Sequence, residues 1–142
     1  MAEISLTKAR SIVRGVLKKA REMELKPLAV VVLDTGGHVK AFEREDGASP
    51  GRFDIARGKA YGVIMTGTPG SALMQRAEAQ SYFITALNGL YDGKVIPVPG
   101  GVLVRDRQGR IVGAVGVTGD TSDNDATAAL AGIEGAGLAG EA

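Results

Sequence analysis

The pattern that most constrains the fold is a pair of predicted β-hairpins separated by helical segments. Residues 28–34 begin with six apolar residues and end in Asp34, a pattern typical of a strand buried on both faces, and a Thr-Gly-Gly turn separates them from a second strand at 38–44. Residues 102–106 and 110–117 flank an Arg-Gln-Gly turn in the same way. Because hairpins separated by helices give a largely antiparallel sheet covered by helices, the sequence predicts an α+β domain.

Helical periodicity accounts for most of the remaining chain. Apolar residues at three- and four-residue spacing predict a first helix, with Ser5 as its N-cap. Ser122 and Asp125 match a capping box that opens a final helix, whose many Ala and Gly residues favour close packing against the sheet or a second subunit. Residues 82–91 are ambiguous between a turn and a short helix. The other predicted helices span residues 5–25, 53–66 and 71–80.

The composition excludes several classes of site. With 142 residues the chain has the usual length for one hydrophobic core, so residues 1–142 are interpreted as a single domain. The absence of Cys excludes disulfides, thiolate chemistry, iron–sulfur clusters and covalently attached c-type haem. A single His excludes any site that needs two imidazoles from one chain. A formal net charge of +1 and few aromatic residues argue against a nucleic-acid partner.

The same sequence carries no sign of a membrane partner or of export. Charged residues appear within the first ten positions, where a signal peptide would need an apolar core. No apolar run reaches the roughly 18 residues of a membrane span. A cytoplasmic protein is therefore expected.

Three segments contain candidate ligand-binding residues. Arg44, at the end of the second predicted strand, could hold a carboxylate through two hydrogen bonds, with Lys59 as a second cation. Gly100 and Gly101 could expose successive backbone N–H groups to an anion, although a sharp bend before a strand explains them equally well. Thr118 lies in a loop of Gly, Thr and Ser that leads into a helix N-terminus.

His38 is the other candidate, and it lies at the exit of the first hairpin turn. As the chain's one imidazole, it is the single candidate for a nitrogen–iron bond or for proton transfer by His. A histidine in a turn is also a common surface residue without a function.

Several of these segments together resemble the GlcG/HbpS family, whose domain also forms the C-terminal part of PduO-type corrinoid proteins. The resemblance implies a profilin-like α/β/α sandwich around a five-stranded antiparallel sheet. It also implies a homo-oligomer, from a dimer to an octamer. The segments that carry it occur in the family's order, at residues 31–38, 41–48, 55–60, 97–102 and 111–119.

The resemblance implies two functions and leaves a third open. Some members bind haem, which here would rely on His38, on Thr118 or on contacts without strong ligation. Others belong to pathways that degrade small organic acids or aromatic compounds, where a hydrolase, deaminase or tautomerase would use Glu43, Asp46 or His38 as its general acid or base. In both cases a small-molecule carboxylate, or a haem propionate, would bind Arg44 and Lys59. The third function is an accessory structural subunit without a ligand.

Overall fold

The structure is a computed structural model that describes residues 3–142. Five antiparallel strands form one sheet in the order β2-β1-β4-β3-β5. Both predicted hairpins are present, and the central strands β1 and β4 come from different hairpins. The strands are β1 Ala29–Leu33, β2 Val39–Arg44, β3 Gly101–Arg105, β4 Ile111–Thr118 and β5 Ala139–Glu141.

Five helices cover the two faces of the sheet. α1 and α5 pack on one face, and α2 packs on the other face with α3 and α4 outside it. The α+β class and the sandwich around a five-stranded sheet are therefore confirmed. None of the helices within residues 3–142 has the length and apolar content to cross a bilayer. The helices are α1 Leu6–Glu22, α2 Arg52–Thr66, α3 Gly70–Ala79, α4 Ser81–Leu90 and α5 Ser122–Gly135.

The small residues of α5 allow a very close approach to α1. A Cβ atom on Gly15 would lie 2.9 Å from the Cα of Gly132, and one on Gly132 would lie 2.5 Å from Cγ2 of Val16. Only glycine fits both positions, because real Cβ atoms are not found this close to another heavy atom. The sequence predicted close packing of α5 against the sheet or a second subunit, and the closest approach in the structure is instead to α1.

Three details differ from the sequence-based expectation. The N-cap of α5 is Thr121, whose hydroxyl accepts the Asn124 N–H at 3.2 Å, so the capping box predicted at Ser122 and Asp125 is wrong. The reason is that the Asp125 carboxylate bonds elsewhere, to the Asp120 N–H and to Lys59. The ambiguous segment 82–91 belongs to α4, and the fifth strand, which the sequence did not reveal, is β5 at the chain's C-terminal end.

Candidate functional site

The predicted site residues fall into separate groups, of which the most buried surrounds Lys59. This lysine lies on α2, and its side chain is only 4% exposed. Its ammonium donates hydrogen bonds to Oδ2 of Asp125 at 3.1 Å and to the Val117 carbonyl at 3.0 Å. Asp125 is itself 1% exposed and accepts the Asp120 N–H through its second oxygen. The ion pair therefore links α2 to α5 at the end of β4.

Gly100 and Gly101 let the chain pass directly over Lys59. Gly100 has φ +107°, and a Cβ there would lie 2.9 Å from Nζ of Lys59 and 2.6 Å from the Val117 oxygen. A Cβ on Gly101 would overlap the Lys59 carbonyl. The structure thus brings together three of the predicted ligand-binding residues, and the two glycines serve close packing around the lysine.

Burial shifts the pKa of both members of the ion pair toward the neutral form. Desolvation lowers the pKa of Lys59, and the Asp125 carboxylate opposes that change. Desolvation likewise raises the pKa of Asp125, opposed by the Lys59 charge and by the Asp120 N–H. The lysine that the sequence offered for binding a ligand carboxylate is thus already paired with a carboxylate of the chain.

Arg52 is a cation that sequence reasoning missed. It is the first residue of α2, half-buried, and its Nη1 donates to the buried Thr118 hydroxyl at 2.8 Å. Within residues 3–142 Arg52 forms no ion pair. It also stands at the N-terminus of a 15-residue helix, where the backbone dipole favours a negative charge. A half-buried guanidinium without a carboxylate partner is chemically able to pair with an anion.

Arg44 lies on the same face of the sheet as Thr118. In the strand register Ala29 is opposite Arg44 on one side and opposite Thr118 on the other. Two strand spacings therefore separate their backbones, about 10 Å. Arg44 donates to the Ala48 carbonyl at 2.5 Å and, in the part of the chain that the structure describes, has no carboxylate partner either. We call Arg44, Arg52 and Thr118 the arginine edge.

Glu43 and Asp46 lie beside Arg44 in one cleft of about 470 Å³ between α1 and the end of β2. The cleft also contains an ion pair between Arg21 and Glu45, at 3.1 Å. The two predicted catalytic carboxylates thus share a cleft with the predicted carboxylate-binding arginine, although the side chains of Glu43 and Arg44 point to opposite faces of the sheet. The acid–base role of the two carboxylates stays a prediction.

His38 is separated from all of these residues. It lies in the β1–β2 turn, with a side chain 81% exposed and Nδ1 3.3 Å from Asp34. Burial acts to raise the pKa of Asp34, but hydrogen bonds from the N–H groups of His38 and Gly36 outweigh it and lower that pKa. Arg44 lies at the other end of β2, six residues away, which is about 20 Å of extended chain.

This separation determines how well the residues fit a haem. The arginine edge offers partners for propionates, but the one imidazole is at the opposite end of the sheet. Thr118 is buried, and its oxygen already accepts a hydrogen bond from Arg52. The predicted residues of one chain therefore do not fit a single haem as a set.

Comparison with known protein families shows to which family the chain belongs. A family model described as haem degrading protein HbpS-like matches residues 4–134. The chain belongs to the HbpS-like family. The match includes the arginine edge, the Lys59–Asp125 pair and His38. A comparison with curated proteins found no significant match.

Solved structures of HbpS-like and related proteins share the fold. The PduOC complex with haem is 21% identical, with a TM-score of 0.84 and coverage of 96% of each chain. A double mutant of HbpS from Streptomyces reticuli is 26% identical, with a TM-score of 0.79, and the match covers 94% of this chain and 87% of that one. The ORFY protein of Klebsiella pneumoniae is 24% identical, with a TM-score of 0.84 and coverage of 96% and 92%.

Proposed function

We propose that this HbpS-like chain binds a small carboxylated molecule at the arginine edge. The observation that carries the proposal is Arg52, a half-buried guanidinium that bonds to a hydroxyl and forms no ion pair within residues 3–142. Guanidinium groups bind carboxylates through two parallel hydrogen bonds, and partial burial strengthens such bonds. A second unpaired guanidinium, that of Arg44, lies about two strand spacings from Thr118. Because Arg52 bonds to Thr118, two guanidinium groups belong to this edge, and two cations favour a dicarboxylate over a monocarboxylate.

Calorimetric titration with succinate and with acetate tests this site. We expect saturable binding of succinate, and weaker binding of acetate because it can use only one guanidinium. Arg52→Gln should weaken succinate binding about tenfold or more, since a hydrogen bond to a charged group contributes about 1.5–3 kcal/mol. Arg44→Gln should reduce the preference for succinate over acetate.

The matched control is Arg10→Gln, which removes an exposed arginine of α1 and should leave both affinities unchanged. Urea unfolding of each variant verifies that the fold is intact. Equal succinate affinity in wild type and Arg52→Gln would overturn the proposal, as would equal weakening in Arg10→Gln.

Haem is the second candidate ligand, supported by the family description and by the structure of PduOC with haem. A neutral imidazole is a common axial ligand of haem iron, and His38 is exposed enough to reach a bound molecule. Because Arg52 lies at the other end of the sheet, haem held by His38 would not use the arginine edge. The two candidates therefore predict different sensitive residues.

A haemin titration followed in the Soret region separates them. We expect a saturable shift of the Soret band that His38→Ala removes and Arg52→Gln leaves unchanged. A shift of equal size in His38→Ala would exclude imidazole ligation. The lack of any saturable shift in wild type would exclude haem as a ligand of the purified protein.

A further inference from the structure

A second cavity lies away from the arginine edge, between the C-terminal half of α2 and the helices α3 and α4. We call it the α2–α4 groove. Its volume is about 500 Å³, within the range of small-molecule sites. The residues of the groove that the argument uses are Met65, Leu73, Arg76, Phe83, Leu87 and Tyr91.

Six of the nine residues that line the groove are apolar or aromatic, and its surface is about equally polar and apolar. Tyr91 is held by an edge-to-face contact with Tyr61, with ring centroids 5.7 Å apart. Phe83 and Leu87 line the groove from α4, one helical turn apart. Only six of the 142 residues are aromatic, and two of them line this cavity. Such walls favour a flat apolar molecule, because aromatic rings prefer offset or edge-to-face contact with other rings.

One cation lies among these apolar residues. Cζ of Arg76 stands 3.9 Å above the centroid of the Phe83 ring. An arginine stacked in this way keeps its in-plane N–H donors for hydrogen bonds. Within the part of the chain that the structure describes, Arg76 forms no ion pair with a carboxylate. The groove therefore combines a surface for a ring with one fixed positive charge.

From this combination we infer that the α2–α4 groove binds an aromatic carboxylate, with its rings against Phe83, Leu87 and Tyr91 and its carboxylate on Arg76. This site is independent of the arginine edge. β2 runs from the turn that contains Gly37 to Arg44. Met65 of the groove lies close to Gly37, so the groove is at the end of β2 that is opposite to Arg44. A molecule in the groove would thus leave Arg52 and Thr118 untouched.

Isothermal titration with 2-naphthoate tests the inference, with the uncharged 2-naphthamide as the matched ligand. Wild type should bind 2-naphthoate saturably and the amide at least about tenfold more weakly, because only the carboxylate pairs with Arg76. Arg76→Gln should weaken naphthoate binding about tenfold and leave amide binding unchanged. Ala72→Phe, which adds a ring to the groove lining, should abolish binding of both ligands.

Control variants separate this site from the proposed function. Arg52→Gln should not change naphthoate binding, and 2-naphthoate should still bind if the wild type fails to bind succinate. Equal binding of naphthoate and naphthamide would overturn the inference, as would loss of naphthoate binding in Arg52→Gln. The inference would also be overturned if naphthoate does not bind to wild type and Leu87→Arg lowers the sedimentation coefficient. That pair of results would show that a second copy of the chain covers the groove.

Discussion

Replacing Asp125 by Asn is expected to lower the free energy of unfolding at pH 7 by about 3–5 kcal/mol, the usual effect of removing one member of a buried ion pair. Lys59 is 4% exposed, and an amide in place of Asp125 leaves its ammonium without a counter-charge. The amide oxygen can still accept the Asp120 N–H that Oδ1 accepts now. The amide NH₂ group would then face the Lys59 ammonium. Two hydrogen-bond donors would meet there, whereas in the native chain the ammonium donates to Oδ2 of Asp125 at 3.1 Å.

The loss should depend on pH with a defined sign. Burial already lowers the pKa of Lys59 from 10.5, and the Asp125 charge opposes that effect. Without the carboxylate, the pKa of Lys59 falls further in the folded state. Between that lowered pKa and the pKa of Lys59 in the folded wild type, the folded variant lacks a proton that the unfolded chain and the folded wild type both bind, so the stability of the variant rises with pH relative to the wild type. Urea unfolding at pH 7 and at pH 9.5 should show a smaller deficit for Asp125→Asn at the higher pH.

Two further variants decide whether the lone buried charge causes the loss. Asp123→Asn removes an exposed carboxylate from the same first turn of α5 and should change stability by less than about 1 kcal/mol. The double variant Lys59→Met with Asp125→Leu removes both charges and should recover most of the loss, because apolar pairs often replace buried ion pairs without penalty. A double variant as unstable as Asp125→Asn would contradict this account.

The sheet and the helices that cover it could be predicted because the sequence patterns that specify them are local. An unbroken apolar run, a Gly-Gly turn and an alternating run specify the hairpin of β1 and β2 within 17 residues. β5 could not be recognised, since three residues of small and acidic type have no strand signal of their own. Its pairing with β3 comes from long-range contacts, among them the hydrogen bonds between Arg105 and Glu141.

The candidate site was predictable only in part, because its arrangement depends on tertiary contacts. Arg44 and Thr118 have recognisable positions at strand ends, but their common face follows from the order of β2, β1 and β4. Arg52 had no motif, and only its bond to Thr118 distinguishes it from other arginines. The small and apolar residues around Lys59 in α2 are compatible with its burial, and a buried lysine requires a partner carboxylate. Nothing in the sequence identifies Asp125 as that partner, because the two residues meet only through the packing of α2 against α5.

Replacing Gly116 by Ala should destabilise the protein and disturb the arginine edge together. Gly116 lies in β4 directly beneath α2, and a Cβ there would overlap the Ala56 carbonyl. A backbone atom of a helix cannot move aside as a side chain can, so α2 as a whole must shift from the sheet. Overpacking of this kind typically lowers the free energy of unfolding by about 1–3 kcal/mol, sometimes more. We expect the upper part of that range.

The same shift has a consequence for binding. Arg52 and Lys59 lie on α2 and reach residues of β4 and α5 through bonds of 2.8–3.1 Å. Moving the helix by a few tenths of an ångström lengthens those bonds, so succinate affinity should fall with stability.

Gly89→Ala is the matched control. Nothing lies within 4 Å of a Cβ at that helical position, so alanine should stabilise the chain by up to about 1 kcal/mol and leave succinate affinity unchanged. Urea unfolding and succinate titration of both variants measure the two effects. A Gly116→Ala protein with native stability would mean that α2 does not contact the sheet at this point, and the bonds from Arg52 and Lys59 that depend on that contact would then have to be reconsidered.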